Sequence, residues 1–292
     1  QLRLSHPQTS VLVTGVKRDI ELLAPLKVLP GDKLTVLDIS LEKNRVPLLQ
    51  LLEAGASINY FDHHYADEIP THPRLRTYID TSADTCTSLI VNSFLRDKHL
   101  AWAVVGAFGD SLDDHARRSA STLSYSSDQL KDLRQLGIGI NYNAYGEAVK
   151  DLFYAPADLF RALHPYANPL DFLRDSPIPK TLQEGYESDL MEANKLKPRH
   201  AEQAYAVYEL PNAPWARRVS GVFGNDLSQK HPERAHALLT HQSSGGFLVS
   251  VRAPANLRQG ADTVCRQFPS GGGRKGAAGI NFLPEADVDR FI

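Results

Sequence analysis

Short apolar runs separated by stretches of helical periodicity are the strongest constraint on how this chain can fold. Ser10–Thr14, Lys33–Leu37, Ser57–Phe61 and Leu100–Phe108 read as buried strands. Between them, Arg45–Ala54 carries Leu48, Leu49, Leu51 and Leu52 at helical spacing, and Thr87–Leu95 reads as a further helix. Strands that alternate with helices build a parallel sheet covered on both faces. In such sheets ligands lie beyond the carboxyl ends of the strands.

The residues at those ends carry chemistry. The second run stops at Asp38, the third at Asp62-His63-His64 and the fourth at Gly109-Asp110. An aspartate at a strand end is often only a turn former or a helix cap, and a lone histidine is usually a structural residue. Parallel strands, however, bring all three ends to one edge, where Asp38, His63 and Asp110 would converge. Carboxylate and imidazole without sulfur suit Mn²⁺, and less specifically Mg²⁺, Fe²⁺ or Zn²⁺. Strand alternation is expected to send His63 and His64 to opposite sides, so that one binds metal and the other faces a substrate. Asp113, Asp114 and His115 read as the acidic first turn of a helix. Thr81–Thr85 reads as another helix start, capped by Thr81 or Ser82, whose amino end could hold a phosphate.

Composition excludes several classes. A formal net charge of -2 gives no long-range attraction for a polyanion, so any such site must be a local basic pocket. Cys86 and Cys265 are the only cysteines, too few for a disulfide framework or a thiolate metal site, and a reducing, cytoplasmic setting is expected. The longest apolar stretch, Leu100–Gly109, falls well short of the ~20 residues of a spanning helix. No charged-then-apolar leader is seen, so neither a membrane span nor a signal peptide is expected.

The pattern changes near residue 200. Pro177 and Pro179 precede Thr181–Lys197, whose Leu182, Tyr186, Leu190 and Met191 recur at helical spacing until Pro198. Beyond it, Ala204–Leu210 and Gly246–Arg252 read as strands and Glu233–Thr240 as a helix. The expected architecture is α/β: a doubly wound, mainly parallel sheet domain over 1–180, a linker helix over 181–199, and a smaller α+β domain over 200–292. In that second domain Gly271, Gly272 and Gly273 form a loop that would let backbone amides converge on an anion. Arg274 adds a planar fork and Lys275 a point charge. The residues from 252 to 275 contain Arg252, Arg258, Arg266, Arg274 and Lys275 against a single acid, Asp262. The plainer alternative is a flexible glycine loop with solvated charges. The segment does not match the phosphate loop of nucleoside triphosphatases.

Together, Asp38 in Val-Leu-Asp-Ile-Ser, Asp62-His63-His64, Gly109-Asp110 and the Gly271–Gly279 loop resemble the DHH phosphoesterase superfamily with its associated carboxyl-terminal domain, over nearly the whole chain and in family order. The resemblance implies two Mn²⁺ ions, Mg²⁺ being the alternative, and hydrolysis of phosphate esters or anhydrides. Asp38 would bridge the ions, His63 and Asp110 would complete one of them, Asp62 would orient its neighbours, and His64 would face the scissile phosphate as the catalytic residue. Arg252, the glycines, Arg274 and Lys275 would hold substrate phosphates. Arg274 stands where many oligonucleotide-cleaving relatives have histidine. The family's opening Asp-x-Asp motif is not seen, so the sequence is expected to begin downstream of the natural amino terminus and to be clipped near Pro284–Ile292.

The expected function is release of mononucleotides from short single-stranded oligonucleotides or linear dinucleotides, with a homodimer left open. The alternatives are a phosphatase of 3′-phosphoadenosine-5′-phosphate or a related small nucleotide, a nucleotide-binding regulator without catalysis, and an RNA-binding module.

Overall fold

The computed structural model describes residues 1–292 and divides into two compact units. The first comprises Gln1–Ala144 and Phe153–Gln183, and the second Tyr145–Leu152 and Glu184–Ile292. No helix is long and apolar enough to cross a membrane.

In chain order the first unit contains α1 (Leu2–Ser5), β1 (Lys33–Leu37), α2 (Leu41–Glu53), β2 (Ser57–Asp62), β3 (Leu75–Ile79), α3 (Thr87–Phe94), α4 (Leu100–Gly109), α5 (Asp113–Ala120), α6 (Ser127–Tyr142), α7 (Pro156–Leu163) and α8 (Pro169–Asp175), and α9 (Ile178–Asn194) leads out of it. The strands form a three-stranded, wholly parallel sheet in the order β1-β2-β3, with Leu37 opposite Phe61 and Asp62 opposite Ile79. Parallel pairing puts the ends of β1 and β2 side by side, which is what places chemistry at this edge. Leu48, Leu51 and Leu52 of α2 pack on Val36, Ile58 and Tyr60, and a second cluster gathers α3 to α6 around Trp102, Val104, Phe108 and Leu133.

Two of the four expected strands in this half are strands. Ser10–Thr14 lies outside any sheet or helix, with Val11 91% exposed. Leu100–Phe108 is helical, the first nine residues of α4. A continuous apolar run cannot by itself distinguish a buried strand from a buried helix. Here Ala101, Ala103 and Ala107 favour the helix, and packing against α3, α5 and α6 buries most of its circumference. Strand β3 went unanticipated. The stretch Thr81–Thr85 is not a helix start: α3 begins at Thr87, after Cys86, with no side-chain cap. Asp113 and Asp114 do occupy the first turn of α5.

The second unit contains β4 (His200–Ala201), β5 (Tyr205–Leu210), α10 (Pro214–Lys230), β6 (Ala235–His241), β7 (Phe247–Arg252), α11 (Ala261–Cys265), β8 (Gly271–Arg274), β9 (Ala277–Leu283) and α12 (Val288–Phe291). Its six-stranded mixed sheet runs β4-β5-β6-β7-β9-β8. One face packs on Val219, Phe223 and Leu227 of α10, and the other buries Val249, Val251, Cys265, Phe268 and Ile280. The expected helix over Glu233–Thr240 is strand β6, and the helix of this region is α10. Strand β6 is sandwiched between β5 and β7 and covered on both faces, so it lacks the polar alternation by which a strand is recognised. Buried Arg218 is held bidentate by Asp189, and Arg217 by Asp151 of the segment Tyr145–Leu152, which ties that segment to α10.

Candidate metal centre

Asp38 follows β1 in the left-handed backbone region, at φ 60, a conformation aspartate tolerates better than most residues. Its N–H donates to the Phe61 carbonyl at 3.0 Å, extending the β1–β2 ladder by one bond before the chain turns. Its carboxylate Oδ1 accepts a hydrogen bond from the Thr87 hydroxyl at 2.7 Å. The first residue of α3 thus aims the first of the candidate ligands.

Strand β2 closes on Asp62, which is fully buried. Its Oδ1 accepts from the N–H groups of His63 (2.9 Å) and His64 (3.2 Å) and pairs with His64 Nδ1 at 2.7 Å. The chain therefore wraps around its own carboxylate instead of continuing as a strand. The imidazoles do not go to opposite sides as alternation predicts. Their ring centroids lie 4.7 Å apart, edge to face, at the same edge of the sheet.

The His63 ring has a defined role. Its Nδ1 lies 3.2 Å from the Thr85 carbonyl, which can only accept, so Nδ1 carries the hydrogen and Nε2 presents a lone pair. Nε2 lies 3.5 Å from Asp38 Oδ1 and 3.8 Å from Asp110 Oδ2. A carbonyl behind a ligating imidazole is the usual way a metal site fixes ring orientation.

Asp110 arrives from a helix instead of a strand, as the C-cap of α4. What sets its position is a contact between glycines. A Cβ on Gly137 of α6 would lie 2.3 Å from the Val105 carbonyl and 2.8 Å from the Gly109 nitrogen. Only two helices without side chains at that crossing approach so closely. Burial raises the Asp110 carboxyl above its ordinary range, and the neighbouring Asp38 carboxylate adds to the rise while His63 opposes it. The Asp62 hydrogen bond raises the His64 imidazole in the same sense, partly offset by burial.

The donor set fits a divalent cation. Metal bonds of ~2.0–2.2 Å let the ligating atoms of one ion stand up to about 4.4 Å apart. The 3.5 and 3.8 Å separations about His63 Nε2 fall inside that limit, and a His64 nitrogen lies in the same neighbourhood, within 4.8 Å of ligand atoms of Asp38 and His63. A divalent cation between the two carboxylates and His63 Nε2 would offset the repulsion between the acids. Oxygen and nitrogen ligands without thiolate suit Mn²⁺ or Mg²⁺.

In the second unit the glycine run is not a loop. Gly271, Gly272, Gly273 and Arg274 form edge strand β8, paired antiparallel with β9. The glycines serve close packing: a Cβ on Gly271 would stand 1.7 Å from the Cys265 carbonyl, and Gly273, at φ 138, has Ala278 against it. Arg274 and Lys275 are exposed at the turn that follows. Arg252 is half-buried on β7, bonded to Asn225 Oδ1, Ser250 Oγ and the Gly221 carbonyl, and burial lowers its guanidinium below the ordinary value. Thr87 and the Thr85 carbonyl escaped sequence reasoning. The only available signal was hydroxyl-rich Thr85-Cys86-Thr87-Ser88, and nothing in it names an aspartate 49 positions upstream.

No protein-family model matches the chain, and no curated protein matches it. Among solved structures, the exonuclease RecJ bound to manganese is similar over 89% of this chain and 73% of its own, at 19% identity and a TM-score of 0.45. The pGpG-specific phosphodiesterase PggH from Vibrio cholerae is similar over 90% of this chain and 96% of its own, at 12% identity and a TM-score of 0.47. In this chain Asp38, Asp62-His63-His64 and Asp110 gather at one edge of the parallel sheet.

Proposed function

We propose that this chain is a phosphodiesterase dependent on a divalent metal, Mn²⁺ by preference, that releases mononucleotides from short oligonucleotides or linear dinucleotides. The observation that carries this reading is His63 Nε2 standing between the carboxylates of Asp38 and Asp110. Asp38, His63 and Asp110 would hold the metal. A bound divalent ion supplies Lewis-acid polarisation of a phosphoryl oxygen and acidifies a water.

The remaining steps belong to the protein. His64, with Nδ1 engaged by Asp62, keeps Nε2 for a proton at the leaving oxygen, a contribution of ~10²-fold or more. Buried Asp62 holds that imidazole in one tautomer, as an acid behind a catalytic histidine does. The part of the second unit is phosphate binding through exposed Arg274 and Lys275, with Arg252 and the β8 glycines shaping the surface around them.

The test is hydrolysis of a panel by purified protein with Mn²⁺: a labelled linear dinucleotide, a pentanucleotide, 3′-phosphoadenosine-5′-phosphate and pyrophosphate. Mononucleotide release from the first two, abolished by His64→Ala, supports the reading. Cleavage confined to the phosphoadenosine or pyrophosphate substrates, or activity insensitive to His64→Ala, would reject it.

A further inference from the structure

A groove of about 700 Å³ runs along the first unit between β3, α3 and α5, within the size range of small-molecule sites. It opens beside the metal centre. Thr85, whose carbonyl meets His63 Nδ1, lines it, as does Asp80, whose N–H donates to the Asp62 carbonyl at 3.2 Å. From there it follows α3 for ~10 Å at the helical rise to Asn92, Phe94 and Asp97.

The far end is a built polar site that the phosphate chemistry leaves unused. Asn92 is 4% exposed. Its amide nitrogen donates to Asp97 Oδ1 at 2.6 Å, while its amide oxygen is buried with no partner. A buried acceptor without a donor is costly and calls for an explanation. From α5, His115 lines the same groove, and its Nδ1 is also buried without a partner. Phe94, 42% exposed and packed edge to face with Tyr78 at 4.8 Å, supplies an apolar aromatic surface beside these groups. An aromatic face next to hydrogen-bonding groups is how single-stranded bases are held.

We infer that the groove between β3, α3 and α5 binds a nucleobase of the substrate, stacked at Phe94, and that Asn92 and Asp97 select a base presenting adjacent N–H donors. Resting on the phosphodiesterase reading, it assigns that site its base specificity. The Asn92 amide oxygen and the Asp97 carboxylate are neighbouring acceptors. Guanine offers two neighbouring donors, its ring N–H and exocyclic amine, to such a pair. Uracil offers one N–H flanked by carbonyl oxygens, which the carboxylate repels. The groove therefore favours guanine over uracil, and a donor placed at Asp97 reverses that preference.

The experiment titrates guanosine 5′-monophosphate and uridine 5′-monophosphate into the full chain without metal, by calorimetry, for wild type and Asp97→Asn. Asparagine tolerates the left-handed backbone of residue 97, at φ 60, so this variant keeps the fold. The expected result is guanosine monophosphate bound at least ~tenfold more tightly than uridine monophosphate, with Asp97→Asn shrinking or inverting the ratio. Phe94→Ala weakens both nucleotides. Equal affinities, a ratio unmoved by Asp97→Asn, or no binding of either at millimolar nucleotide would overturn the inference. A parallel assay of Mn²⁺-loaded protein on dinucleotides of each base separates the two conclusions. Hydrolysis without base preference, alongside equal affinities, leaves the phosphodiesterase standing and removes the base site. Selective binding without hydrolysis does the reverse.

Discussion

Thr87 donates its hydroxyl to Asp38 Oδ1 at 2.7 Å, joining the first turn of α3 to the end of β1 across 49 residues of sequence. That bond leaves the second carboxylate oxygen unconstrained and fixes the direction from which Asp38 approaches His63. Outer partners of this kind are worth 10–100-fold in metal affinity. Thr87→Val should lower Mn²⁺ affinity by roughly tenfold, read by calorimetry or by the paramagnetic signal of free Mn²⁺. Asp38→Ala should abolish specific binding, and equal affinity in both variants and wild type would remove Asp38 from the metal centre.

On the proposed function, His64 and Asp62 would separate chemistry from metal binding. With Asp62 Oδ1 occupied by His64 Nδ1, His64→Ala should cut turnover by ~10²-fold or more while Mn²⁺ affinity changes little. Asp62→Asn exchanges a charged acceptor for an amide at a fully buried position and should reduce turnover through the wrong imidazole tautomer. Parallel kinetics and metal titrations on the two variants distinguish these effects.

The crossing of α4 and α6 should tolerate no side chain at residue 137. A methyl there would stand 2.3 Å from the Val105 carbonyl, so Gly137→Ala must push the helices apart. Overpacking of this kind costs about 1–3 kcal/mol. Because the same contact sets Asp110, the variant should lose Mn²⁺ affinity along with its lowered melting temperature. By contrast, Gly221→Ala, where a Cβ meets open space, should leave both unchanged.

Asp151 should make the second unit sensitive to acid. Bonds from Arg217 hold its carboxyl down at about 2, against an ordinary value of 3.8. A depressed carboxylate contributes stability above the unfolded value and loses it as pH falls through the folded one. About 2 kcal/mol should therefore disappear between about pH 4 and pH 2. Asp151→Asn should flatten that limb of a denaturant-stability profile. Arg217→Ala strands a buried carboxylate and should cost about 3–5 kcal/mol near neutral pH.

His236 acts over a higher range. It is 1% exposed on β6, neither ring nitrogen has a partner, and burial pulls its imidazole down to about 4. The unfolded chain binds a proton there near pH 6.5 while the folded chain refuses it. Its contribution is thus intact above pH 6.5 and falls by about 3 kcal/mol as pH drops toward 4. His236→Leu should remove this dependence, visible as a flatter stability curve between pH 6.5 and 4.

Much of the candidate metal centre could be read from the sequence. Asp38 and Asp62-His63-His64 follow short strands whose pairing partners lie nearby in the chain. Parallel pairing of β1 with β2 then leaves no freedom over where they meet. Their direction was less legible. Alternation along a strand stops applying once Asp62 captures the backbone of the next two residues, and that capture depends on a carboxylate being buried. Asp110 was expected at this edge from the wrong element, because an unbroken apolar run has no period to separate strand from helix. Contacts of α4 with α3, α5 and α6 decided the matter.

The β8 glycines show the same division. Their spacing advertised backbone freedom, yet whether that freedom serves an anion or a tight hairpin depends on Cys265 and Ala278, residues outside the run. Residue type and local period carry the kinds of ligand this chain can present and the strands that present them. Which face each ligand turns to, and which distant hydroxyl or carbonyl steadies it, arise from packing between segments far apart in sequence, where local patterns hold no information.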